Sequence, residues 1–418
     1  GIDSTRCDDG AVILKVSGIP SGTTVDWYDL SVAGTNLQSG TDGNDTVLTT
    51  ASLTTGTTNY FSEIRNIATG CVSNTRVQVD GIVNTLPLTT GITAIDSTRC
   101  GNGAVVLKVS GIPVGTTVDW YDLAVIGNNL QSGTNGNDTI YKTASLTTET
   151  TSYFAEIRNT TTGCVSNIRV QVDGVVNALP NLTVVTAIDT IRCDDGTAVL
   201  KVSGIPAGTT VDWYDLSAVG NNLQSGTNVN DTIYTTVSLI TGTTNYFAEI
   251  RNTTTGCVSN SRVQVDAIVN ALPLTTGITA IDSTRCGNGT VVLKVSGTPA
   301  GTKVDWYNAS TGGIVLQSGT IASDTSYTTG VQPTGTTSYF VEIKDTTTGC
   351  ISASRVQVNG IVNPVPSVVG LTAIDGIRCG DGAVVLKASG LPDGSVIDWY
   401  SSLSGDTILQ SGLSSNDT

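Results

Sequence analysis

The sequence predicts an all-β chain of tandem sandwiches, and three observations carry that reading: a fixed 93-residue repeat, short alternating apolar runs, and turn residues between them. The repeat carries Cys7 to Cys100, Cys193, Cys286 and Cys379, and Trp27 to Trp120, Trp213, Trp306 and Trp399. It also carries Pro87 to Pro180, Pro273 and Pro366. Four units and part of a fifth follow: 1–87, lacking its first strand, then 88–180, 181–273, 274–366 and the partial 367–418. Thr418 stands in the register of Thr46, so the fifth unit stops midway. Half a sandwich leaves an inner face uncovered. The ends therefore read as cuts in a longer array, the alternative being completion by strands donated from neighbouring chains.

Within a unit, strict alternation places the strands. Ala11 to Ser17 turns Val12, Leu14 and Val16 to one face, and Thr24 to Tyr28 turns Val25 and Trp27 inward. Asn36 to Gln38 and Thr46 to Leu53 read as short middle strands. Asn59 to Arg65 points Tyr60, Ser62 and Ile64 inward, and Thr75 to Val79 closes the unit with Val77 and Val79 inward. Ser-Gly, Asp-Gly, Thr-Gly and Pro turns separate these runs, supplying positive or fixed φ. About seven strands per 93 residues is the size of an immunoglobulin-like sandwich. The joint from Val83 to Leu88 is short and partly apolar, so successive units are expected to abut as a semi-rigid rod.

Composition narrows the function. A net charge of −15 argues against nucleic acid, which is bound through clustered Lys and Arg. No apolar run is long enough to span a membrane, and the sequence opens on Gly1 without any Met, so neither a span nor a leader is visible. There is no His, and the carboxylates lie scattered in turns, so no nucleophile with a base can be nominated and no enzyme, cofactor or metal centre is expected. The Asp8-Asp9-Gly10 and Asp42-Gly43-Asn44-Asp45 turns match no Ca²⁺ loop of defined ligand spacing.

Two cysteines recur at one fixed separation in each complete unit: Cys7 and Cys71, Cys100 and Cys164, Cys193 and Cys257, Cys286 and Cys350. One pair per repeat, without a CxxC, reads as disulfides formed in an oxidising compartment, hence an extracellular or cell-surface protein. Pairing inside each unit is favoured, both cysteines being placed at one pole; a bridge between units, for example Cys71 to Cys100, is the rival. Trp27 reads as a core anchor. Phe61, Phe154, Phe247 and Phe340 fall on the opposite face from Tyr60 and are candidates for lateral contact. Arg76, Arg169, Arg262 and Arg355 can pair across strands with Glu63, Glu156, Glu249 and Glu342, whereas Arg6 has no evident partner.

The run LKVSGIPSGTTVDWYDL, then LTTGTTNYFSEIRN and GCVSNTRVQV, resembles the Ig-like repeats of large secreted surface proteins of Bacteroidetes. The match covers all units. The resemblance implies stalks or spacers of adhesins, enzymes or filaments. It also implies O-glycans at Asp-Ser/Thr triplets, which here places them at Thr46, Thr139 and Thr232 and at Ser4, Ser97, Thr190 and Ser283. The expected role is structural: a filament or surface rod that self-associates or continues as a longer array. An adhesin stalk whose repeated weak sites meet surface glycans is the alternative.

Overall fold

The computed structural model describes residues 1–135, 138–321, 325–405 and 407–412; the end of the fifth unit, with Thr418, lies outside them. The chain is all-β and forms two compact bodies. One comprises Gly1–Thr186, Ser203–Thr232 and Phe247–Val263, the other Ala187–Val202, Ile233–Tyr246 and Gln264–Thr418.

The first body holds units one and two entire. Unit one has β1 (Ser4–Cys7), β2 (Ile13–Lys15), β3 (Thr23–Tyr28), β4 (Asn36–Gln38), β5 (Val47–Thr49), β6 (Gly56–Asn66) and β7 (Val77–Asn84). Unit two has β8 (Thr93–Ile95), β9 (Ser97–Cys100), β10 (Val106–Ser110), β11 (Thr116–Tyr121), β12 (Asn129–Gln131), β13 (Ile140–Lys142), β14 (Thr150–Asn159) and β15 (Val170–Asn177). Two sheets form each sandwich. In unit two they are β12-β11-β14-β15-β9 and β13-β10-β8.

The opening strand divides between both sheets. β8 pairs antiparallel with β10, and after Asp96 the chain crosses to pair β9 parallel with β15. The Asp96 carboxylate accepts the Asp173 N–H at 2.8 Å, so this residue fastens the crossing. In unit one the second half of the opening strand is present, β1 pairing parallel with β7, and the first half is reduced to an isolated bridge from Ile2 to Lys15, so the strand expected to be missing is only shortened. In the second body, the fourth unit repeats the five-stranded order with Ser283–Cys286, Val356–Asn363, Gly335–Asp345, Thr302–Tyr307 and Val315–Ser318.

The core is the one alternation specifies. Val12, Leu14, Val16, Val25, Trp27, Tyr60 and Val79 are buried together, joined by Leu48, Leu53 and Val83. Trp120 stacks near Tyr141 at 5.7 Å, and Tyr141 tilts against Tyr153 at 5.5 Å. Two details differ from expectation. The last strand does not stop at Val79 but runs to Asn84, burying Val83. Val77 is exposed in unit one, for a reason that lies at the joint. In the fifth unit Trp399 is only half-buried, beside an open groove lined by Val384, Leu386 and Leu409.

Candidate functional site

The joint between units is where the expectation and the structure part. The disulfides run Cys7 to Cys164 and Cys100 to Cys257 in the first body, and Cys193 to Cys350 in the second. Each spans 157 residues, joining the first cysteine of one unit to the second cysteine of the next. This corrects the pairing of Cys7 with Cys71 inside a unit, and equally the Cys71 to Cys100 alternative. Cys71, Cys286 and Cys379 are free and exposed, so Cys71 and Cys286 are not bridged as expected.

The reason is strand direction. Cys7 ends β1, which runs parallel to β7 and sets Cys7 beside Asn84, the last residue of that strand. Cys71 sits in the turn before β7 begins. β6 runs from Gly56, paired with Val83, to Asn66, whose N–H donates to Cys71 O, and its ten steps of about 3.3 Å hold the two cysteines roughly 33 Å apart, at opposite poles. A far pole abuts the near pole of the following unit, which brings Cys7 to Cys164. The turn that presents Cys164 is built locally: Asn159 Oδ1 accepts the N–H groups of Thr161 and Thr162 at 2.9 Å, and Gly163 takes a φ of 75°.

Arg6, without an evident partner in the sequence, braces the opposite cysteine. Its Nε donates to Asp8 O at 2.8 Å and its Nη1 to Ala11 O at 2.9 Å. The guanidinium lies where a Cβ on Gly10 would stand, which explains the glycine three residues after each first cysteine; Arg99 fills the same space at Gly103. Asp9, read as part of a turn, accepts Thr55 N–H at 2.9 Å. Asp8, Asp9, Thr55, Leu86, Pro87, Leu88 and Asn167 line an open cavity of about 520 Å³ at this joint. Among the described residues no cluster of His, Cys, Asp or Glu could hold a metal, and no helix is long and apolar enough to cross a membrane.

On the outer face, the cross-strand ion pairs are present and do more than pair. Arg76 lies 3.3 Å above the Tyr28 ring, contacts Glu63 at 3.4 Å, and donates to Leu30 O and Ala33 O at 2.8 and 2.6 Å. It thereby holds the loop after β3. Phe61, Phe154, Phe247 and Phe340 are half-buried on this face, Phe61 lying in a row between Tyr28 and Gln78.

Sequence reading missed a second arginine cluster. Asp119 is 4% exposed and takes a bidentate ion pair from Arg158, at 2.7 and 3.0 Å. Arg158 also donates to Gly133 O at 2.8 Å, while Gly133 N–H donates to Asp119 Oδ1 at 2.8 Å, closing a ring of four bonds. Asp26 with Arg65 and Asp212 with Arg251 repeat it. The signal was available: an Asp and an Arg held 39 residues apart in three successive units.

The Asp-Ser/Thr triplets are built into the fold. Asp45 accepts the N–H groups of Thr41 and Asp42, the latter at 2.8 Å, and Asp138 and Asp231 repeat this turn. Thr46, Thr139 and Thr232 follow these turns, half-buried. Ser4, Ser97, Thr190 and Ser283 open the parallel strand and are half-buried too; the Thr190 hydroxyl donates to Val199 O.

Repeated disulfide-linked two-sheet units define a tandem Ig-like module. The chain belongs to the Ig-like domain, CHU_C associated, family, which matches residues 2–84, 87–177, 180–271 and 273–364. A serine-rich adhesin for platelets of Staphylococcus aureus (strain USA300) is 25% identical over 252 residues, 60% of this chain and 10% of that protein. The same adhesin of strain MRSA252 is 25% identical and covered to 18%. The chain thus spans less than a fifth of the relatives it matches. Among solved structures, the chicken CNTN1 FN1-FN3 domains are 13% identical, with a TM-score of 0.30 over 65% of this chain and 98% of that one. Sidekick-1 immunoglobulin domains 1-4 are 13% identical, with a TM-score of 0.21 over 87% of this chain and 97% of that one.

Proposed function

We propose that this chain is a non-catalytic segment of an extracellular stalk or filament, in which Ig-like units supply length and resistance rather than chemistry. The observation that carries this is the disulfide stagger, which ties each of units one to three to its successor and needs an oxidising compartment. The half-buried Phe61, Phe154, Phe247 and Phe340 are the side chains offered for lateral contact between copies, and the divisions at residues 87, 180, 273 and 366 are the unit boundaries. O-glycans on Thr46 and its equivalents would add hydration. Imaging the native material by electron microscopy at side-chain resolution tests the reading. Continuous fibres with a repeat of one or more units support the filament; separate strands without lateral or end-to-end contacts leave a stalk. Protein confined to the cytoplasm by surface-protease shaving of intact cells sinks both.

The 25% identity to a staphylococcal adhesin favours one second reading, a stalk that itself binds surface glycans weakly and many times over. Purified monomeric chain that binds a glycan panel, and loses that binding on Phe154→Ala, would favour it.

A further inference from the structure

We propose that the staggered disulfides make the chain a tension-carrying, nick-tolerant covalent cable. The proposal deepens the stalk reading and takes its purpose from it, whereas the connectivity is testable wherever the protein resides. The three loops overlap. Cys7 to Cys164 encloses Cys100, and Cys100 to Cys257 encloses Cys193, from which the third bridge reaches Cys350. Every peptide bond between Cys7 and Cys350 therefore lies inside at least one disulfide loop. Cutting any one of them leaves both fragments joined through a sulfur bridge.

Tension follows the same topology. From Cys7 the shortest covalent path crosses to Cys164, follows the backbone forward to Cys193 and crosses to Cys350. Between Cys7 and Cys350, a fully stretched chain thus bears load only through segment 164–193 and the two bridges that flank it. Segments 7–164 and 193–350 are held off the path, and the Cys100–Cys257 bridge spans the load-bearing stretch in reserve. Bridges confined to single units would behave differently, since each joint would then be an unprotected single strand.

The test places a sequence-specific protease site in the exposed joint at Leu88 of the full chain, with free thiols capped beforehand. After cleavage, the fragments should migrate as one species without reductant and as two with it. Two species without reductant overturn the proposal. A second measurement needs no insertion: the unaltered chain is pulled by handles at both termini and reductant is added. It should lengthen by on the order of 1,100 Å, the two sheltered segments together being roughly 314 residues at about 3.5 Å each. An unchanged contour length overturns the proposal as well.

Discussion

The near poles of units one and two carry the same residues in different surroundings. In unit two, Cys164 is 1% exposed and Ile157 fully buried, and Ser166 is buried with its hydroxyl accepting the Ile157 N–H at 3.1 Å. In unit one, Cys71 is exposed, Ile64 and Ser73 are half-buried, and Val77 is 47% exposed. The local hydrogen bonds match: Ser73 accepts Ile64 N–H at 3.2 Å, and Cys71 O accepts Asn66 N–H at 2.8 Å. What differs is the far pole of a preceding unit, which lies against Cys164. The unit's own strands and turn make the pole; a neighbouring unit makes it core.

Breaking the bridge should separate the two poles most. Closing a loop of 157 residues is worth up to about 5 kcal/mol on chain-entropy grounds, less where the unfolded chain keeps structure. Cys164→Ser is therefore expected to destabilise the first body by about 2–5 kcal/mol in denaturant unfolding. Cys71→Ser should change it by less than about 0.5 kcal/mol. Equal effects would show that Cys71 is bridged too. Thiol labelling of the folded chain gives the same contrast without mutation: Cys71 reacts and Cys164 does not until reduced.

Packing comes next. Ile157→Ala removes a fully buried side chain and should cost about 2–5 kcal/mol, since a close-packed site cannot fully collapse. Ile64→Ala removes atoms already half in water and should cost about 1 kcal/mol, the transfer value of the area it hides. Matching losses would mean that the covering unit adds nothing to the pole.

The Asp-Arg rings offer a control, because the neighbour does not touch them: both Arg65 and Arg158 side chains are 30% exposed. Arg65→Lys and Arg158→Lys should each cost about 1–3 kcal/mol by losing the fork and the bond to the glycine carbonyl. Unit four already carries this change. Lys344 stands at the arginine position, Asp305 Oδ1 is buried without a hydrogen bond, Lys303 approaches only to 3.7 Å, and Gly319 N–H turns to Val304 O. Lys344→Arg should therefore stabilise unit four by about 1 kcal/mol in thermal or denaturant unfolding.

Much of this was legible in the sequence, and the divide is physical. Period-two alternation fixes which side chains face inward, so Leu14, Trp27 and Val79 were placed by pattern alone. The Arg76 to Glu63 pair was legible too, because cross-strand neighbours follow from strand order. Disulfide pairing was not. Spacing along the chain says that Cys7 and Cys71 recur together, but only the parallel pairing of β1 with β7 reveals that they sit at opposite poles. The crossing at Asp96 escaped for a similar reason: a carboxylate that fastens a strand between two sheets looks in sequence like a turn residue. Alternation also hid the rings, since a buried Asp inside D-W-Y reads by that pattern as an outward one.

The smallest effect should be the same in both units, which makes it the sharpest control. Backbone N–H groups, that of Asp42 foremost and then Thr41, hold the Asp45 carboxyl below its ordinary value of 3.8; those of Asn135 and Thr134 do the same for Asp138. A carboxyl depressed on folding contributes stability that is present above pH 3.8 and lost as pH falls through the lower folded value. Asp45→Asn and Asp138→Asn should each flatten the acid limb of a urea-midpoint titration below about pH 4 by lowering the neutral plateau, to the same small extent in both units, and leave stability at the acid end almost unmoved. Asp45 and Asp138 are half-buried alike in units one and two. An effect confined to Asp138 would show that the covering neighbour reaches beyond the pole into the unit's own turns, and the boundary drawn between local and neighbour-made structure would have to move.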